Sequence, residues 1–126
     1  MDTVIRFGSD TPDDPAVDRL HEDLAGRLGT DRVGRNERDS GLGFATVLVA
    51  DGDWWAHVDA MAEFADDHAD LLRPFLAGEG RWARFDVAVW PSDRAEGGRK
   101  SLLLPSEVLR AIAFEGVAVE VTVYDR

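Results

Sequence analysis

Three histidines and a run of carboxylates are the side chains of this sequence best suited to chemistry. Asp53 and His57 stand four apart, as do Glu63 and Asp67, with His68 and Asp70 beside the second pair. Residues four apart on a helix share a face, so a carboxylate–imidazole metal site is one reading of the spacing. No HExxH run occurs, and nothing elsewhere in the chain fixes the missing ligands. These groups are therefore expected as a helix cap and as solvated charges, with no metal and no cofactor. Nucleophilic catalysis finds no better support. Cysteine is absent and GxSxG does not occur. Ser9, Ser40, Ser92, Ser101 and Ser106 fall in turns or at element ends, where serine belongs for backbone reasons. The glycine pairs at 41–43 and 78–80 lack the strand, helix and lysine of a phosphate loop, and the only lysine is Lys100. No catalytic residue is assigned, and a non-enzyme is expected.

Charge is the stronger signal. The chain carries 25 acidic and 14 basic residues in 126, a formal net charge of −11. Residues 51–70 hold Asp51, Asp53, Asp59, Glu63, Asp66, Asp67 and Asp70 and no Lys or Arg. Nucleic acid is excluded as a partner, since phosphate binding needs a positive footprint. A basic protein partner is electrostatically permitted, and Asp59, Glu63, Asp66, Asp67 and Asp70 are the residues expected to meet it. The plainer reading of the same charge is solubility. Arg32, Arg35 and Arg38 lie in the polar stretch 30–41 and could grip an anion. Against that, Asp31, Glu37 and Asp39 stand ready to pair with them, and surface charges of this kind are worth little.

Tryptophan is the remaining feature. Trp54 and Trp55 are adjacent, about 100° apart around a helix, so both cannot centre on a core. Trp82, Arg84 and Trp90 share one strand face, opposite Phe85, Val87 and Val89. If the latter face the helices, the Trp face is open to a ligand or an interface. The N-terminal element or a second copy of the chain, in a homodimer through the open sheet, is the plainer expectation for what covers it.

The elements that must position these residues follow from periodicity. Residues 3–9 alternate as a strand. Asp14-Pro15 reads as an N-cap and first helical position, Val17, Leu20, Leu24 and Leu28 form a helical stripe, and Gly29 closes it. Residues 30–41 read as a loop. Residues 42–50 are nearly all apolar, which suits a central strand. Asp53 caps a long helix with Trp54, Val58, Met61, Ala62 and Ala65 on one side. That helix is expected to break near 66–68 and restart toward Phe75, with Pro74 kinking it or opening its first turn. Residues 81–90 alternate cleanly, as on an edge strand. Residues 91–98 read as a hairpin loop, 101–104 as a central strand, 105–116 as a helix ended by Gly116, and 117–124 as a strand with its valines on one face.

The expected fold is α+β: a ferredoxin-like βαββαβ core over about 42–125, preceded by an extra βα unit, with a mostly antiparallel sheet and helices on one face. Length and the 44% hydrophobic content set a single domain over 1–126. The absence of cysteine, of a basic-then-apolar leader and of any apolar run near the roughly 20 residues of a membrane helix makes the cytoplasm the expected compartment and excludes a membrane partner.

The closing pattern LLLPSEVLRAIAFEGVAVEVTVY resembles the C-terminus of the bacterial domain-of-unknown-function family 4279, with Glu107, Leu109, Ile112, Gly116 and Tyr124 at matching positions. The resemblance implies no assigned reaction. Some small acidic cytoplasmic domains of this look serve as immunity proteins in bacterial toxin systems, an analogy at the level of the fold. A protein-binding module of immunity or antitoxin type, working through an acidic surface, is thus the leading expectation. A small-ligand-binding or regulatory ferredoxin-like module is the alternative.

Overall fold

The computed structural model describes residues 1–29, 33–35, 42–49, 53–90 and 103–124. The elements run β1 (Asp2–Ser9), α1 (Pro15–Leu28), β2 (Val33–Arg35), β3 (Leu42–Val49), α2 (Trp54–Asp67), α3 (Ala69–Leu76), β4 (Arg81–Val89), α4 (Ser106–Phe114) and β5 (Ala118–Val123). The strands form one sheet in the order β2-β3-β1-β4-β5. β1 is antiparallel to β3 and to β4, β2 is antiparallel to β3, and β4 is parallel to β5. The fold is α+β, with a mixed sheet that is mostly antiparallel.

Local chemistry sets the element ends where the sequence placed them. The Asp14 carboxylate accepts from the Ala16 N–H, Pro15 takes the first helical position, and Gly29 ends α1 at φ 100°. Asp53 caps α2 by accepting from Ala56 N. The long helix breaks at His68, and Pro74 lies inside α3. Beyond α4, Gly116 takes φ 75°, the left-handed turn that a side chain disfavours.

One face of the sheet is packed. Thr3, Ile5 and Phe7 of β1 and Ala83, Phe85, Val87 and Val89 of β4 are buried with Val17, Leu20 and Leu24 of α1, Val58, Met61 and Phe64 of α2, Leu72 and Phe75 of α3 and Ile112 of α4. All four helices contribute to this single core, so they share that face. Phe7 meets Phe75, and Phe64 meets Phe85, edge to face at 6.0 Å. The even-numbered residues of β1 and β4 form the other, partly wet face.

The layout expected over 42–125 is not the one observed. β1, expected to extend or cover an edge, pairs on both sides and is the middle strand. β4, expected at an edge, is flanked by β1 and β5. The alternation of β4 reflects helices on one side and water on the other, which an interior antiparallel strand shows as readily as an edge. The polar stretch expected as a loop contains β2, whose Val33 is buried. The apolar run expected as a central strand is not one where it is described: residues 103 and 104 are irregular, and Leu103 is 63% exposed. Residues 101–102, the loop at 91–98, the turn at 51–52, and Arg32 and Arg38 lie outside the described residues. Among the described residues, no helix is long and apolar enough to cross a membrane.

Candidate functional site

The acidic surface is built on α2. Trp54, His57, Val58, Met61, Phe64 and Ala65 recur at helical spacing and are buried. Their burial fixes the rotation of the helix, and everything out of phase with them must face water. Trp55 is 49% exposed, and Asp59, Glu63, Asp66 and Asp67 are all exposed. Residues 55, 59, 63 and 66 form one stripe down the solvent side. Trp54 is held inward by its indole N–H, which donates to the carbonyl of Leu103. The pair of tryptophans is therefore split as helix geometry requires, one in the core and one at the head of the acid stripe.

Asp70, the fifth acidic residue expected there, is spent otherwise. It takes both arms of the Arg27 guanidinium at the end of α1, with Nη1 2.9 Å from Oδ1. That hydrogen bond and charge hold its carboxyl at about pKa 2. His68 lies against Arg27 Nη1 at 3.3 Å and packs on Phe64 at 4.5 Å. Burial, then the Arg27 charge, lowers the imidazole pKa. On the other side of α3, Arg73 grips the buried Glu115 with Nε at 2.7 Å and Nη2 at 2.6 Å, tying α3 to the end of α4. Those contacts are clamps between helices. Asp59, Glu63, Asp66 and Asp67 make no ion pair within 4 Å with any described residue.

The second expected surface is the wet side of the sheet. Asp86 is shared by Arg6 and Arg84, each with Nε at 2.9 Å, and Glu120 of β5 lies 3.7 Å from Arg84. The Arg84 guanidinium covers the Trp82 ring at 5.0 Å. A shallow depression here is lined by Val4, Arg6, Arg84, Asp86, Glu120, Thr122 and Tyr124. Its two guanidiniums and two carboxylates answer one another, so no charge is left seeking a ligand. Trp90 does not join this group. It stacks on Tyr124 at 4.3 Å and donates to Asp2, on the order of 26 Å along the strand from Trp82 by strand rise.

The metal reading meets a specific obstacle. Asp53 is exposed and engaged as the α2 cap, whereas the His57 ring is buried with Nδ1 2.7 Å from Thr3 Oγ1. Four apart in sequence, the two point to different surroundings. Among the described residues, no three His, Asp or Glu side chains converge as a metal site.

Neither a family model, nor a curated protein, nor a solved structure matches the chain.

Sequence reasoning missed the Thr3–His57 bond and the Arg73–Glu115 clamp. The first joins β1 to α2 and the second joins α3 to the end of α4, and no periodicity speaks to such pairs. The Arg27–Asp70 pair had a local hint: a basic residue in the last turn of one helix and an acid in the first turn of another.

Proposed function

We propose that the chain is a non-enzymatic protein-binding module of immunity or antitoxin type, docking a basic partner surface on the solvent face of α2. One observation carries this: a half-exposed tryptophan, Trp55, stands at the head of four exposed carboxylates that form no ion pair within 4 Å with any described residue. A rigid aromatic anchor beside clustered charge of one sign is the make-up of a hot spot with electrostatic steering. The resemblance of the last third to family 4279 is read here as kinship. The unit β1 to β4 is read as ferredoxin-like, since its elements run βαββαβ with α2 and α3 taken as one broken helix, and its strands lie in the order β2-β3-β1-β4 with antiparallel neighbours. The α4–β5 pair is then the addition, at the C-terminal side.

The test is native purification from the source cell with the intact chain and with a triple variant, Asp59→Lys, Glu63→Lys and Asp67→Lys. A stoichiometric basic protein retained by the wild type, released by salt and lost by the variant is expected, with Trp55→Ala weakening its binding at least tenfold, in the hot-spot range. Equal retention by wild type and triple variant would sink the proposal.

The alternative, a small ligand on the sheet face that carries Trp82, Arg84 and Trp90, is favoured by the depression beside Arg84, which Tyr124 lines and Trp82 does not. The mutual neutralisation of Arg6, Arg84, Asp86 and Glu120 weighs against it. It requires ligand quenching of tryptophan fluorescence that disappears in Trp82→Ala.

A further inference from the structure

The two edges of the sheet are built differently. β2 is described over Val33–Arg35, with a glycine in its middle, and glycine weakens a strand. β5 is six residues, AVEVTV, in unbroken register with β4. It has no lysine, no proline and no bulge to blunt the edge. Its one charge, Glu120, is turned toward Arg84 of its own sheet. The Tyr124 N–H donates inward to the Val89 carbonyl. By strand alternation, the even residues of β5 bond to β4, and Val119, Val121 and Val123 aim N–H and C=O outward. Among the described residues nothing pairs with that edge. Val121 and Val123 are also 39% and 54% exposed, on the side where the helices lie.

We propose that β5 pairs with β5 of a second copy, antiparallel, about a two-fold axis through Val121, joining two sheets into one. Outward-facing residues must meet outward-facing residues, and the register centred on 121 satisfies this with 121 opposite 121 and 119 opposite 123 of the other copy, each pair exchanging backbone bonds. The valine side chains then close on one another on the helix side and lose their exposure. On the wet side, 120 lies opposite 122 and 118 opposite 124. Glu120 therefore faces a threonine and no like charges oppose, whereas a register centred on 120 would set the two glutamates face to face. A surface that complements itself under a two-fold is what a closed dimer needs. Each copy carries −11, so the dimer must tighten as salt rises. Binding of a basic partner to α2 must weaken under the same change, which separates the two proposals.

The experiment is sedimentation of the intact chain on serial dilution, at low and high salt. A reversible dimer that tightens with salt is expected. Thr122→Glu sets a carboxylate opposite Glu120 of the second copy and raises the dissociation constant about tenfold, counting the pair twice by symmetry. Thr122→Lys lowers it by a similar factor. Val121→Pro removes an outward N–H and abolishes pairing. Circular dichroism and melting establish that each variant is folded, and should the proline variant fail to fold, the two Thr122 variants decide. A monomer at every concentration in high salt overturns the proposal, as does a dimer indifferent to both Thr122 substitutions.

Discussion

Histidine in this protein is a packing residue before it is a chemical one. His57 is buried against Thr3, His68 is wedged between Phe64 and Arg27, and the Nε2 of His21 is buried. Thr3→Val keeps the shape of β1 and leaves Nδ1 of His57 without its threonine. Denaturant titration should show a loss of about 0.5–1.5 kcal/mol, the net contribution of one hydrogen bond. Two carboxylates make stability sensitive to acid. Asp14 is held at about pKa 2 by the Ala16 N–H and then by Arg81, and Asp70 at about 2 by Arg27, against an ordinary 3.8. Because the folded values are depressed, their stabilisation is complete above the ordinary value and is lost as pH falls through it toward 2. Melting temperatures of Asp14→Asn and Asp70→Asn should fall less steeply than wild type over that interval, while lying below wild type at neutral pH.

At the scale of elements, helix α4 and strand β5 meet at one backbone position with no freedom to change. Gly116 holds φ 75°, and a Cβ there would meet Leu76, whose Cδ1 lies at an ordinary 3.5 Å. The cost of Gly116→Ala is therefore in the backbone, about 1–2 kcal/mol, with Gly116→Asn milder; thermal unfolding of the two variants checks the order. Caps and breaks of this kind were legible in the sequence: Asp14-Pro15, Gly29, Asp53, the break at His68 and Gly116 all sit where residue type put them. Strand order was not legible, for a definable reason. A chain that alternates strands and helices can be framed as βα followed by βαββαβ, or as βαββαβ followed by αβ. The choice turns on two short pieces. Val33–Arg35 is a strand hidden among arginines, too short for its own alternation to declare it. The run at 102–104 has a strand's composition, yet Leu103 faces water and its carbonyl serves the Trp54 indole. Reading one as loop and the other as strand slides the unit two elements along the chain. The acidic stripe was legible because helix rotation follows from the buried residues alone. The distance of Trp90 from Trp82 was legible too, in the count of residues between them.

For the whole molecule, charge and sheet order dominate. A net −11 on 126 residues repels itself, and four of the carboxylates sit together on α2. Raising salt should raise the melting temperature, and the α2 triple variant should melt no lower than wild type and respond less to salt. The opposite result would mean that the acid stripe supports the fold rather than facing a partner. The position of β1 has a different consequence. Its neighbours begin some forty and eighty residues further on, so it is synthesised well before either can pair with it. Its Ile5 and Phe7 meet helices α1, α2 and α3, all of which leave the ribosome before residue 81, but the backbone groups on one side of β1 stay unpaired until β4 arrives. For the same reason, trimming the first nine residues would not shave an edge: it would remove the seam between the two halves of the sheet and leave β3 and β4 facing across a gap.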